Sequence, residues 1–187
     1  PLPDAIFETK TAIGFFHNGR PVGADLDDVP PMYLTMRRDL DHHLLRLAES
    51  AGATLLTGER VTQIDLGSAR VLLTNGRAIS YDVLIGADGV TSQVAKTLFG
   101  RAFDPARIGF ALEKELPPEP DAAIAARVRV DFGVAEWGYG WSFPKRRSTT
   151  VGLGGLHPRN PDMKGRLMAY GALLGQGDVA GMKGHFL

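Results

Sequence analysis

A chain of 187 residues, 44% hydrophobic and with 23 glycines, is long enough to bury a core as one large domain or as parts of two. Its 21 basic and 21 acidic side chains balance to a formal charge of zero without gathering into basic tracts, which argues against nucleic acid or an anionic membrane as a charge-driven partner. The lack of cysteine excludes a disulfide framework, a thiolate metal site and a cysteine nucleophile, and no apolar run approaches the roughly 20 residues that span a bilayer, so a cytoplasmic enzyme is expected.

In chain order, two mixed apolar runs within residues 5–26 flank His17-Asn18-Gly19, and Asn-Gly predicts a β-hairpin. Residues 29–36 predict a two-proline loop and a short strand. Leu40, Leu44, Leu45, Leu47 and Ala48 then recur near helical spacing, with Arg38 or Asp39 at the start and Gly52 as a C-terminal cap. Four strands are expected next, over residues 53–58, 60–66, 69–76 and 81–87, followed by a helix over 90–99. The last of these strands, with VLIGA at 83–87, is apolar almost throughout, as a strand covered on both faces of a parallel sheet would be. The order predicts a mixed α/β fold with an antiparallel excursion. KELPPEPDA at 114–122 predicts a connecting loop; residues 124–133, 138–144 and 148–156 predict strands, and 163–175 a final helix. The chain opens on Pro1 and stops after Gly184-His185-Phe186-Leu187, from which a piece of a longer protein is expected.

Two stretches carry chemistry. VLIGADGVTSQVAKTLFG at 83–100 sets Asp88-Gly89 between an expected strand and helix. There an aspartate can accept from a ribose hydroxyl, and a glycine lets the backbone approach a phosphate near the positive end of the helix dipole. Equally, Asp88 can simply cap the helix while Gly89 eases the turn. In GYGWSFPK at 138–145, Tyr139, Trp141 and Phe143 alternate and would share one face, with Pro144 stopping the strand. Such a row can wall an apolar cavity or serve as ordinary sheet core. His42 and His43 are adjacent on a helix and point apart, so no metal site is expected.

Three ordered segments resemble the flavoprotein family whose FAD domain is of the glutathione-reductase type, especially the branch with aromatic hydroxylases, halogenases and geranylgeranyl reductases. They are Arg38 to Leu44, set against R-x-x-L/F-D-x-x-L; Gly52-Ala53-Thr54-Leu55 with Gly58 and Val61; and Ile85-Gly86-Ala87-Asp88-Gly89 with Ser92. Residues 138–145 resemble the Y-x-W-x-F-P-K-G segment of geranylgeranyl reductases, with Arg146 in place of the closing glycine. The family's strand-G-x-G-x-x-G-helix unit has no match, since Gly152-Leu153-Gly154-Gly155 lacks the spacing and the following helix.

The resemblance implies part of a glutathione-reductase-type FAD domain over 37–104, a strand-rich substrate domain over 105–187, and a strand-rich segment or connection over 1–36. It implies FAD as cofactor and NAD(P)H as electron donor. Arg38 would approach the FAD phosphate or ribose, Val61 would meet the adenine through its backbone, and Gly86, Ala87, Asp88 and Gly89 would line the ribose and pyrophosphate. Thr91 stands where relatives often carry Arg, Lys or Asn. Tyr139, Trp141, Phe143 and Pro144 would line the substrate, an apolar isoprenoid or aromatic molecule, whose lipid character would bring the enzyme to a membrane surface. The implied activity is reduction of isoprenoid double bonds by hydride from reduced flavin. Alternatives are a flavin-dependent monooxygenase and a non-catalytic α/β binding module in which Asp88 is a cap and the aromatics are core. No catalytic residue is assigned.

Overall fold

Strand β1 (Glu8–Lys10) pairs antiparallel with β4 (Met32–Leu34). Between them, Asn18 and Gly19 at φ 48° and 79° turn β2 (Ile13–His17) into β3 (Arg20–Pro21), the hairpin that Asn-Gly predicts. The protein is described by a computed structural model over residues 5–176 and 181–187, and the chain forms two compact units, residues 1–42 with 105–187 and residues 43–104.

In the first unit the remaining strands are β8 (Gly109–Leu116), β9 (Val128–Phe132), β10 (Tyr139–Pro144), β11 (Thr149–Leu156) and β12 (Lys183–Phe186). They join β2 and β3 in a seven-stranded sheet of order β12-β8-β11-β10-β9-β2-β3. All pairings are antiparallel except β2 with β9, where Ile13 stands opposite Val128. The last helix of the unit, α4 (Met163–Leu173), is capped by Asp162, which accepts from the Gly165 N–H at 2.9 Å. Alternation in β11 sends Val151 and Leu153 to the α4 side, where both are fully buried with Leu112, Leu116, Met163, Leu167 and Tyr170.

One charged group lies inside this layer. Asp131 is fully buried and accepts from Arg129 Nε at 2.6 Å, from the Tyr170 hydroxyl at 3.1 Å and from the Gly19 N–H at 3.0 Å. Arg129 in turn sits 3.7 Å from the centre of the Phe16 ring. Both charges are thus paired and hydrogen-bonded, the condition for tolerating them in a core.

The stretch 114–122 is not all loop. Residues 114–116 complete β8, and Leu116 is buried opposite Thr149, so the ladder continues until Pro117 ends it. Nor does a strand begin at 124: Asp121 accepts from the N–H groups of Ala123 and Ile124 and caps the short helix α3 (Ala122–Ala125).

The second unit holds an antiparallel meander of β5 (Val61–Asp65), β6 (Arg70–Leu73) and β7 (Ala78–Ser80), then α2 (Gln93–Phe99). Helix α1 (Arg37–Ser50) begins in the first unit and ends in the second. Two expected strands are missing here. Residues 53–58 and 81–87 have no ladder partner among the described residues, and apolar sequence cannot make a strand without a neighbour to take its backbone hydrogen bonds. Val83 and Ile85 are accordingly 77% and 82% exposed instead of covered on both faces. Helix α2 starts at Gln93, three residues later than expected, because Ser92 takes up the N-cap position with ψ 123°. Among the described residues, no helix is long and apolar enough to cross a membrane.

Candidate functional site

In the second unit, the start of α2 needs acceptors for its free N–H groups. Asp88 Oδ2 accepts from Gln93 N at 2.7 Å and Val94 N at 3.3 Å, Oδ1 accepts from the Ser92 hydroxyl at 2.5 Å, and Ser92 Oγ accepts from Ala95 N at 2.9 Å. The hydrogen bond from Ser92, joined by the backbone N–H groups and outweighing desolvation, holds the Asp88 carboxyl below its ordinary range. Asp88 therefore caps the helix. Capping takes both sites of Oδ2 but one of Oδ1, which leaves a lone pair for a further donor.

Replacing Ser92 by Ala removes a cap and one Asp88 partner together, and about 1 kcal/mol of local helix stability should go with it. Faster amide exchange at 93–95 measures the loss. Because the folded-state pKa of Asp88 lies below the unfolded one, the helix start is held above the carboxylate range and loosens as pH falls through it.

Gly86 has no room for a side chain: a Cβ there would lie 2.7 Å from the Val94 Cβ, so the 84–87 segment packs directly on α2. Gly89, at φ 76°, has open space where a Cβ would point. A cavity of about 560 Å³ opens beside Gly86, with Val61, Ile64, Val71 and Ile85 as apolar wall and Arg60 and Gln93 as polar lining; Gly89 is not part of that lining. Gly86, Ala87 and Asp88 line it too, so four residues picked from the sequence meet in one cavity. Strand β5 is the edge of its sheet, which puts one row of its backbone groups outside the ladder. Apolar wall, edge backbone groups and a carboxylate with a spare lone pair fit the adenosine end of FAD.

Arg38 lies in the first turn of α1 in the other unit, almost fully exposed and 3.4 Å from Asp39. Counting back three places from Leu40 reaches Arg37, so the arginine of the R-x-x-L-D pattern is Arg37. Arg37 spans one helical turn to Asp41, donating from Nε at 3.2 Å and Nη2 at 3.3 Å.

In the first unit, the aromatic row forms as alternation requires. Tyr139 and Trp141 meet edge to face at 5.8 Å, and Trp141 and Phe143 stack at 6.1 Å with 24° between their planes. Trp141 lies over Gly152 of β11, where any Cβ would strike the indole. The opposite face of the same strand is turned to α4, since a Cβ at Gly140 would meet the Tyr170 ring. A cavity of about 360 Å³ lies on the aromatic face, lined by Trp137, Tyr139, Trp141, Gly154, Gly155 and Arg107 among others. Phe143 and Pro144 are not part of that lining.

Beyond Pro144, Lys145 turns back to Glu115 at 3.0 Å and to Thr150. Burial pushes the Glu115 carboxyl up, but hydrogen bonds from Thr150, Ser148 and Lys145 outweigh it and hold the group below its usual range. Trp137 was not singled out from the sequence. Its signal is a large apolar residue beside glycine in a tight connection between strands. Among the described residues, no group of His, Asp and Glu could hold a metal ion.

No family model matches the chain. A protein of Methanosarcina barkeri whose function is uncharacterised is 30% identical over 153 residues, 81% of this chain and 39% of that protein. An FAD-dependent monooxygenase of an Arthrinium species is 30% identical over 135 residues, 65% of this chain and 31% of its own length. The chloroplastic geranylgeranyl diphosphate reductase of Arabidopsis thaliana is 29% identical over 151 residues, 71% and 32%. Among solved structures, a geranylgeranyl bacteriochlorophyll reductase-like protein of Thermoplasma acidophilum superposes with a TM-score of 0.74 at 17% identity, over all of this chain and 51% of that one. The chain thus has the mixed α/β fold of FAD-binding oxidoreductases, and it spans about a third to two fifths of the length of these three curated relatives.

Proposed function

We propose that the chain forms part of an FAD-dependent oxidoreductase of the geranylgeranyl-reductase type, acting on a double bond of an apolar isoprenoid substrate. The observation that carries this reading is the gathering of Val61, Gly86, Ala87 and Asp88 around one cavity, in a chain similar to flavin enzymes. FAD would supply the redox chemistry, with NAD(P)H as the electron donor. The apolar wall of Val61, Ile64 and Val71 would take the adenine, the spare lone pair of Asp88 a ribose hydroxyl, and Gly89 the close approach of the pyrophosphate. Arg38, which the resemblance would set near the FAD phosphate, belongs to the other unit and does not line this cavity. On the substrate side, Tyr139 and Trp141 would exclude water and hold an apolar ligand against the sheet.

Without a G-x-G-x-x-G cradle of its own the chain alone would be inactive, and the full enzyme would work in the cytoplasm, meeting membrane surfaces through its lipid substrate. Hydroxylation is a second reading, favoured by the similarity to an FAD-dependent monooxygenase and by Arg146 in place of the glycine that closes the reductase segment.

Titration of the full enzyme with FAD, read by quenching of flavin emission and by a rise in melting temperature, tests the proposal. Binding should weaken about tenfold in Asp88→Asn, the scale of one hydrogen bond to a charged group. It should weaken less in Ser92→Ala, which loosens the helix start but leaves the Asp88 carboxylate in place. No uptake of FAD would sink the reading, and oxygen consumption coupled to substrate would select hydroxylation over reduction.

A further inference from the structure

Trp137 is 83% exposed and has φ 51°, in the left-handed region that a bulky side chain rarely enters. Strain of this kind, on the order of 1 kcal/mol or more, persists only where the surroundings over-determine the backbone. Here they do. The amide of Asn160, 1% exposed, accepts from Glu136 N at 2.9 Å and donates to Glu136 O at 2.9 Å and Leu156 O at 2.8 Å, so both backbone groups of the residue before Trp137 are clamped. On the other side, Gly138 lies so close to the backbone of Gly154 that a Cβ would run into its carbonyl oxygen. A buried side chain and a glycine contact therefore fix a backbone whose visible product is an indole held out at the rim of a cavity.

The cavity itself defines the ligand. Its volume of about 360 Å³ is at the small end of ligand pockets. Trp137, Tyr139 and Trp141 supply π-faces, while Gly138, Gly154 and Gly155 supply a floor without side chains. Arg107, Leu156 and Leu187 complete the lining.

We infer that Trp137 is a specificity-determining residue that closes the cavity over a flat, unsaturated apolar group. The inference rests on this cavity being the substrate site of the proposed enzyme. A conjugated ring or the double bonds of an isoprenoid chain would satisfy the same face, since both present a planar π-surface to the indole.

Both tryptophans of the chain line this cavity, so indole emission reports on it directly. The probes are 1-hydroxy-2-naphthoate for a ring, farnesoate for an unsaturated chain and dodecanoate for a saturated one. The signal is tryptophan emission, to which Trp141 contributes in every variant. At least one unsaturated probe should quench it and bind about tenfold more tightly than dodecanoate, and Trp137→Ala should abolish that preference while leaving the melting temperature within a degree or two. Trp137→Phe should restore part of it. Which unsaturated probe binds decides between ring and chain.

Equal binding of all three probes, an emission that none of them moves, or an unchanged preference in Trp137→Ala would overturn the inference. FAD titration of the full enzyme separates the two ideas. Probe selectivity without FAD uptake would remove the flavin reading and keep the role of Trp137, while FAD uptake without selectivity would do the reverse.

Discussion

Asp131→Ala is expected to cost about 3–5 kcal/mol of folding stability, the range for breaking a buried ion pair from one side. The loss is large because three donors converge on this carboxylate: the Arg129 guanidinium, the Tyr170 hydroxyl and the Gly19 N–H. Alanine would leave the partly exposed Arg129 guanidinium without its anion and the buried Tyr170 hydroxyl without an acceptor. The midpoint of urea unfolding should fall with little change in slope. Tyr170→Phe removes one donor and leaves the charge pair, so about 1–2 kcal/mol is the expected cost.

The same tyrosine gives a pH signature. Burial, then the charge and hydrogen bond of Asp131, push the Tyr170 hydroxyl far above the ordinary tyrosine range. In the unfolded chain it ionises near pH ~10. Above that pH the unfolded state gives up a proton that the folded state keeps, so stability is full below about pH 10 and declines as pH rises beyond it. Tyr170→Phe should flatten this alkaline limb.

Trp141→Ala should cost a similar 3–5 kcal/mol, as large-to-small changes at buried aromatics do. The indole is 9% exposed and bridges Tyr139 and Phe143. Gly152 makes the test sharper. A Cβ at 152 would collide with the indole and also lie 2.8 Å from the Leu112 carbonyl oxygen. Gly152→Ala should therefore destabilise the natural protein strongly and the Trp141→Ala variant much less, because the two shortest contacts, both with the indole, are then gone. Additive costs in that double-mutant cycle would mean that the indole does not occupy the space above Gly152.

How much of this was legible in the sequence follows the range of the forces involved. Asn18-Gly19, Gly52 after α1 and the spacing of Tyr139, Trp141 and Phe143 are local signals, and they produced a hairpin, a positive-φ glycine at a helix end and a ring row where expected. Strands over 53–58 and 81–87 were not local facts, since a strand exists only with a neighbour and residue order does not supply one. The capping role of Asp88 is legible as one of two alternatives, yet that its two oxygens share the capping unequally is a matter of geometry alone. Asp131 gave no signal at all. An aspartate alternating in VRVDF looks like any solvated strand residue until β2 brings Gly19 and α4 brings Tyr170 to it.

The parallel pairing of β2 with β9 also bears on how the chain comes to be folded. Ile13 must find Val128 across the whole of residues 43–104, which form their own compact unit. During synthesis the first strands of the host sheet emerge long before their partners, while the meander β5-β6-β7 has all its pairing within a short stretch. Local pairing is fast and distant pairing slow. The inserted unit is thus able to form on the ribosome while β2 still has an open edge, and the host sheet closes only when β9 arrives. Until then the apolar face of Ile13 and Phe15 depends on that late partner for cover, which makes the interval before residue 132 is made the moment of greatest exposure to misassembly.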